Sequence, residues 1–306
     1  MCISAWPTEF SSTITGTWEV LVEDRLQHVL WYQNRVGNKL GAGHSPGAAL
    51  PPFMGNCLII PLLGSWDSIR LLNTVSAPSL LIDVQFAMRM PPSRGLEMES
   101  PVAASWGGSG GKMVFLKFDI YDIVIAENAI DIPAVLDQIV PEKRPRVNDE
   151  VFQMMNDWYG CPVAVCCFSD VERGESKPLA FAFEPLYPSN LVVYTFDGHD
   201  GKAPDPKKIV RLDHTIFVGS YLTDAKYCAN IRYSDDIAPD LKPYLLNHAM
   251  GVNLNQQVME NGDFVFQTKA VRAGHFEGFR GLPPKAPAGI SRLGHKITRS
   301  EAYALV

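Results

Sequence analysis

The chain has 306 residues, of which 46% are hydrophobic, 20% charged and 10% aromatic. This composition excludes a disordered chain and is typical of a globular protein with a substantial core. At roughly 150 residues per domain the length predicts about two domains, although one sheet-rich domain could occupy most of it. The net charge of −6 argues against a nucleic-acid partner or an anionic membrane surface, because both are themselves negative.

The first strand signals lie near the N-terminus. Residues 18–22 and 28–33 are short apolar runs separated by Glu23, Asp24 and Arg25, a pattern that predicts a hairpin. Residues 35–56 and 91–111 are rich in glycine and proline, and both predict irregular loops. Residues 57–63 predict a buried strand, and residues 79–88 an apolar segment whose type the pattern leaves open.

The middle of the chain carries the clearest periodicities. Residues 113–126 alternate like a strand, and a change of parity near Asp122 predicts a bulge or bend. Residues 131–140 place apolar side chains on one helical face behind Asp131, which predicts a helix. A second helix is predicted over residues 149–159, capped by Asn148.

Strand signals return after the second predicted helix. Residues 238–250 predict one more helix and residues 263–268 a late strand. Four earlier segments predict strands: residues 162–168, 179–183, 191–196 and 209–218. The order of strands, helices and strands predicts an α+β fold, in which a predominantly antiparallel sheet packs against a few helices.

The C-terminal residues differ in charge from the rest of the chain. Residues 269–306 hold seven Lys or Arg against two Glu, so this segment carries +5 and residues 1–268 carry −11. We therefore predict a globular body over 1–268, which divides near 128–148 if it has two subdomains, and an extended basic arm over 269–306. The arm is expected to dock on an acidic body, its own or a neighbour's, which predicts self-association or a protein partner. Its predicted docking residues are Phe276, Phe279, Arg280 and Arg292.

No run approaches the ~20 apolar residues that cross a bilayer, and the N-terminus lacks the features of a signal peptide. We therefore expect a cytoplasmic protein without a membrane partner. The cysteines lie mostly in apolar segments, which favours buried thiols over disulfides or redox and metal chemistry. They are Cys2, Cys57, Cys161, Cys166, Cys167 and Cys228.

The glycine run at 107–111 precedes Lys112 in the manner of a phosphate-binding loop. Such a loop needs glycine where Trp106 stands and Ser or Thr where Met113 stands, and the dinucleotide-binding pattern also fails at Met113. The run predicts a flexible loop before a strand. We accordingly predict no cofactor.

One alternative is a metal-binding protein, because carboxylate and imidazole groups accumulate at Asp197, His199, Asp200, Asp213 and His214. If residues 191–196 and 209–218 form a simple hairpin, His199 and His214 lie roughly 20 Å apart at ~3.3 Å per residue. Adjacent Asp213 and His214 would also face opposite sides of a strand. These groups are therefore expected to be dispersed.

A second alternative rests on Cys2. Removal of Met1 would expose a thiol nucleophile beside an α-amine that titrates near pH ~8 and could act as a general base. In position and residue type Cys2 resembles the N-terminal-nucleophile hydrolases of the penicillin V acylase and bile salt hydrolase class, which implies amide hydrolysis. The Arg and Asp spacing of that class is not reproduced here. Arg25, Asn34 or Arg35 would then supply orienting or oxyanion groups.

The sequence does not determine the function. We favour a non-catalytic binding or self-assembling protein, and we retain the Cys2 amidohydrolase and the His199 metal-binding protein as alternatives.

Overall fold

The fold is built on a long antiparallel hairpin near the N-terminus. A computed structural model describes residues 2–3, 10–36, 55–88, 113–169, 174–234, 237–254, 256–275 and 290–293. Strand β2 (Phe10–Val22) pairs with β3 (Arg25–Val36). Glu23 and Asp24 form the two-residue turn at φ of 49° and 58°, the left-handed conformation that suits the twist of a hairpin. The predicted hairpin is confirmed and is longer than predicted.

The remaining elements follow in chain order. The other strands are β1 (Cys2–Ile3), β4 (Gly55–Pro61), β5 (Arg70–Leu71), β6 (Met113–Phe118), β7 (Tyr121–Ala126), β8 (Val163–Ser169), β9 (Gly174–Glu175), β10 (Leu179–Phe183), β11 (Asn190–Val193), β12 (Asp197–Gly198), β13 (Ile209–Leu212), β14 (Thr215–Ser220), β15 (Ala229–Asn230), β16 (His248–Asn253), β17 (Gln257–Glu260), β18 (Asp263–Gln267) and β19 (Ile290–Leu293). The α-helices are α1 (Leu80–Ala87), α2 (Asp149–Tyr159) and α3 (Thr268–Arg272).

The largest sheet grows on both sides of the hairpin. Its strands run in the order β15, β16, β14, β2, β3, β10 and β5, and β9 also pairs with β3. The pairing of β14 with β2 is parallel, whereas the others in this sheet are antiparallel. A four-stranded antiparallel sheet has the order β4, β8, β7 and β6. Helices beside mostly antiparallel sheets confirm the predicted α+β class.

Three smaller pairings complete the described sheets. β11, β18 and β19 form an antiparallel sheet, β13 pairs with β17, and β1 pairs in parallel with β12. Residues 191–196 and 209–218 do not form the simple hairpin considered for them, because β11 pairs with β18 and β13 with β17. No helix in the described part of the chain is long and apolar enough to cross a membrane.

Apolar side chains cover both faces of the large sheet. On one face, Trp18 and Trp31 pack with ring centroids 5.1 Å apart, and α1 lies against the same core. The Trp18 indole N–H donates to the Tyr244 carbonyl at 2.9 Å. On the other face, Leu30, Tyr32 and neighbouring strands share a core with the four-stranded sheet and α2.

The predicted helices have mixed outcomes. Helix α2 has its predicted bounds, and the Asn148 side chain accepts the N–H of Glu150 at 3.1 Å. The helix predicted over 131–140 is wrong, since the segment forms 3₁₀ turns at Ala129–Asp131 and Pro133–Gln138. Apolar spacings of three residues, as between Ile132 and Val135, fit these tighter turns as well as an α-helix.

The helix predicted over 238–250 is also wrong. Only a 3₁₀ turn, Lys242–Tyr244, lies there, and β16 begins at His248. Pro243 lacks the N–H that would continue an α-helix. The apolar segment at 79–88, by contrast, contains α1.

Two long predicted strands are each divided. Residues 113–126 form the hairpin of β6 and β7, in which Phe118 pairs with Tyr121 across a two-residue turn and Asp119 has a φ of 51°. Of the bulge or bend predicted near Asp122, the chain therefore has the bend, as the turn at 119–120, and no bulge interrupts the pairing of β6 with β7. Residues 209–218 break at Asp213 and His214, and β13 and β14 enter different sheets. Apart from the N-terminal hairpin, the other predicted strands are present, with ends shifted by up to three residues.

The predicted border at 268/269 falls inside α3, so Arg272 lies among the contacts of the body. β19 contains Arg292, whose backbone is in register with Phe264 of β18. Phe276, Phe279 and Arg280 lie outside the described residues. So do most of the two predicted loops, at 37–54 and 89–112. A division of the body near 128–148 stays a prediction.

Candidate functional site

The residues predicted to act with Cys2 do not share one site. Arg25 begins β3 and Asn34 lies nine residues later on the same strand, about 30 Å away at ~3.3 Å per residue. Arg25 contacts Glu184 on the surface at 3.2 Å. Asn34 is buried, and its side-chain oxygen accepts the Tyr121 hydroxyl at 3.2 Å. Arg35 follows Asn34 in β3, so Arg25 cannot serve a reaction centre formed around these two.

Cys2 itself lies beside one of the predicted metal ligands. The parallel pairing of β1 with β12 places the backbone of Cys2 in register with Asp197. The carboxylate of Asp197 contacts the Nε2 atom of His199 at 2.5 Å. The fold thus brings together one residue from each of two predicted sites.

The other predicted metal ligands are engaged locally. Asp200 accepts the N–H of Lys202 at 3.2 Å, which fits a turn. His214 Nδ1 lies 3.4 Å from the neighbouring carboxylate of Asp213; the two are not in a strand, so the expectation that they face opposite sides is wrong. No group of three His, Cys, Asp or Glu side chains converges among the described residues.

The described thiols lie in the interior. Burial raises the pKa of the Cys161, Cys166 and Cys167 thiols, and it raises that of Cys228 to about 12. The Cys57 thiol is likewise buried and forms no disulfide. A raised pKa keeps a thiol protonated, which makes it a poor nucleophile and a poor metal ligand.

An ion pair between a buried carboxylate and a partly exposed guanidinium connects distant parts of the chain. Glu19, in the central strand β2, is 0% exposed. Its carboxylate accepts Nε and Nη2 of Arg272 at 2.6 and 2.8 Å, and the Ser220 hydroxyl donates to it as well. Helix α3 is thereby fastened to β2 and β14. Bidentate pairing with a guanidinium satisfies both oxygens of a carboxylate that has lost its water.

A second buried carboxylate joins α2 to β18. Asp263 accepts the Tyr159 hydroxyl at 2.5 Å and the backbone N–H groups of Thr195 and Phe196 at 2.8 Å each. Burial raises the pKa of the Asp263 carboxyl above its ordinary value, although these donors oppose the shift. The cluster is a structural junction, since its oxygens are occupied by protein donors.

His28 lies opposite Glu19 on β3. Burial, assisted by the positive charge of Arg272, lowers the pKa of His28 to about 3. With Asn190 it lines a small cavity, and neither the His28 Nε2 atom nor the Asn190 Oδ1 atom has a partner among the described residues. A neutral imidazole with so low a pKa cannot act as a general acid near pH 7.

Strand β6 is apolar and exposed, and this exposure was not predicted from the sequence. All six residues of its neighbour β7 are buried, whereas in β6 only Phe118 is. Val114 is 40% exposed and Phe115 is 41% exposed. The alternation through residue 126 had hidden the turn, and with it the position of β6 at a sheet edge. The positive φ that Asp119 adopts is typical of Asp in turns, which was the available signal.

The outer side of β6 pairs with no strand in the described part of the chain. An unpaired edge presents main-chain N–H and C=O groups that can template another strand. Proteins commonly protect such edges with proline, bulges or charges. β6 has no proline, its register with β7 is unbroken, and its single charge is Lys117.

Comparisons with known proteins add little to this geometry. No family model matches the chain, and no curated protein matches it. Among solved structures it is similar to the crystal structure of baculovirus P35, with 13% sequence identity and a TM-score of 0.41 over 88% of this chain and 92% of that one.

Replacing His28 should alter the dependence of stability on pH. The unfolded chain binds a proton at this residue below pH ~6.5, whereas the folded chain does so only near pH 3. The free energy of unfolding should therefore fall by up to ~1.4 kcal/mol per pH unit as the pH drops through this window. His28→Gln should make the slope shallower in urea titrations at several pH values, whereas exposed His275→Gln should not. Equal slopes for wild type and His28→Gln would contradict the assignment.

Breaking the Glu19 and Arg272 pair should destabilise the protein strongly. Arg272→Met leaves a buried carboxylate without its partner and should cost about 3 kcal/mol. Glu19→Gln should recover part of this loss when it is combined with Arg272→Met, because it removes the unpaired charge. Arg25→Ala, in the exposed pair with Glu184, should change the free energy of unfolding in urea by less than about 1 kcal/mol. An Arg272→Met effect no larger than that of Arg25→Ala would show that the pair is dispensable.

Proposed function

We propose that this chain is a non-catalytic protein-binding or self-assembling protein whose binding element is the outer edge of β6. The supporting observation is the contrast between β7, buried throughout, and its neighbour β6, with apolar side chains exposed on both of its faces. A strand added to β6 would pair its free main-chain groups and cover Val114 and Phe115 together.

Other sheet edges offer less for such an interaction. β5 and β15 contain two residues each, and β4 is buried along its whole length. The exposed face of β13 and β17 mixes Ile209 with Arg211 and Glu260. β6 therefore combines length, exposure and apolar character better than these five strands.

The chemistry of the described side chains also favours binding over catalysis. Five thiols are buried, and His28 is neutral near pH 7 because burial lowers its pKa to about 3. The Glu19 oxygens are filled by Arg272 and Ser220. Each of these groups has a structural task that leaves it little capacity to transfer a proton.

The basic arm is a second proposed contact. Phe276 and Phe279 as apolar anchors, with Arg280 and Arg292 as carboxylate partners, would attach residues 269–306 to an acidic surface. β19, which contains Arg292, pairs with β18, so part of this region has a place in a sheet. Cytoplasmic localisation and the absence of a nucleic-acid partner are likewise proposed from charge and composition.

The edge proposal is tested with a strand-forming probe. A fluorescent peptide of alternating valine and threonine should bind the full chain, as measured by anisotropy, because it can pair along β6. Phe115→Lys should weaken binding on the order of tenfold, since it places a charge in the covered apolar stripe. Leu222→Lys, at an exposed apolar residue outside the strands, should leave binding unchanged. Equal binding by an N-methylated peptide, which cannot donate main-chain hydrogen bonds, would contradict the proposal.

The Cys2 amidohydrolase remains a second candidate because the register of β1 with β12 places Cys2 beside Asp197 and its contact, His199. A thiol, an imidazole and a carboxylate are the groups of a cysteine hydrolase. We expect no hydrolysis of a panel of fluorogenic amides that depends on these residues. Turnover by wild type that disappears in both Cys2→Ser and His199→Gln, with folding unchanged by circular dichroism, would favour this second candidate instead.

A further inference from the structure

We propose that the strand added to β6 comes from a second copy of this chain, in antiparallel orientation about a two-fold axis. The inference rests on the proposed function and names the partner. The four strands of each copy would join edge to edge into one continuous sheet. Two-fold dimers are the commonest closed assemblies, and each copy presents the same surface to the other.

The β6 and β7 hairpin determines which main-chain groups are free. Phe118 and Tyr121 flank its two-residue turn, and in such hairpins the flanking residues form a hydrogen-bonded pair. Hydrogen-bonded and non-hydrogen-bonded pairs alternate along an antiparallel ladder. The N–H and C=O groups of Met113, Phe115 and Lys117 therefore point away from β7, toward the open edge.

Those groups select one register for the dimer. With Phe115 opposite the partner's Phe115, Met113 lies opposite the partner's Lys117 and Lys117 opposite the partner's Met113. All three residues with outward groups then form hydrogen-bonded pairs. A shift of two residues, which brings Leu116 opposite the partner's Leu116, moves Met113 opposite the turn residue Asp119 and leaves only two such pairs. The first register uses the edge more completely.

Side chains agree with this register. Phe115, 41% exposed in the single chain, would lie against its own copy as an aromatic cross-strand pair. Val114 would lie opposite the partner's Leu116. The two Lys117 ammonium groups would lie toward opposite ends of the ladder, so no like charges would be directly opposed. β6 is thus complementary to itself in hydrogen bonding and apolar contact, and this register keeps its two lysines apart.

Homotypic pairing also explains why one apolar edge need not produce fibres. The opposite edge of the same sheet, β4, is buried and has a bridge from Gly55 to Pro145. Once two β6 strands pair, both copies have used this edge, and the assembly closes at two. An unrelated peptide could also cover the edge, but it would not bring a matching set of three outward-facing residues and so would not close the assembly at two.

Sedimentation velocity on the full chain tests the partner. Wild type should show a concentration-dependent equilibrium of monomer and dimer. Phe115→Lys, which places two ammonium groups opposite each other, should weaken dimerisation on the order of tenfold or more. The Leu222→Lys control should dimerise like wild type. A wild-type chain that stays monomeric while the valine and threonine peptide binds would overturn this inference and leave the proposed function intact.

Cysteine pairing tests the register. In a Cys2→Ser background, Val114→Cys mixed with Leu116→Cys should give a covalent heterodimer on mild oxidation, because non-hydrogen-bonded pairs have Cα atoms about 4.5 Å apart. Neither variant should form a covalent dimer alone. The native thiols at 57, 161, 166, 167 and 228 are buried and should not compete. Covalent dimers from Leu116→Cys alone, or none from the mixture, would overturn the register.

Discussion

The fold depends on finding a partner for one buried charge. Glu19 lies in the middle of the largest sheet and is 0% exposed, and removing a carboxylate from water costs several kcal/mol even after relaxation. Arg272 and Ser220 offset that cost with three hydrogen bonds. Because Arg272 belongs to α3, this pairing holds α3 against β2. The chain after residue 272 therefore follows a helix that is fixed to the large sheet.

Polar junctions of this kind recur between the layers. Thr17 donates to the Val192 carbonyl, and Asp263 receives donors from α2 and from the residues after β11. Such contacts fix the offset between neighbouring sheets, which apolar packing alone specifies less sharply. They also place polar atoms in the region between the sheets. Its carboxylates are engaged, and the pKa of its histidine is low.

The parts of the fold that sequence could predict are those with local causes. The hairpin at Glu23 and Asp24 and the cap at Asn148 each depend on a few adjacent residues. The division of residues 209–218 depends instead on strands β17 and β2, which lie far away in sequence. The 3₁₀ turns near Pro133 and Pro243 share the apolar spacing of helices, so periodicity could not separate the two.

The candidate site shows the same division between local and distant causes. The sequence of β6 shows that the strand is apolar, but its position at an edge depends on the order of strands in the sheet. The sequence likewise singled out Cys2, Asp197 and His199, whereas their proximity depends on a parallel pairing across nearly 200 residues. At both places the sequence therefore shows suitable residue types, whereas the exposure of β6 and the proximity of Cys2 to Asp197 could not be predicted from it.

The pairing of Glu19 with Arg272 has a consequence for synthesis on the ribosome. The two residues are separated by 253 positions, so at 5–20 residues per second the carboxylate waits roughly ten to fifty seconds for its guanidinium to be made. During that interval the nascent hairpin carries an anion that favours hydration over burial. The large sheet can therefore acquire its final packing only after α3 has left the exit tunnel.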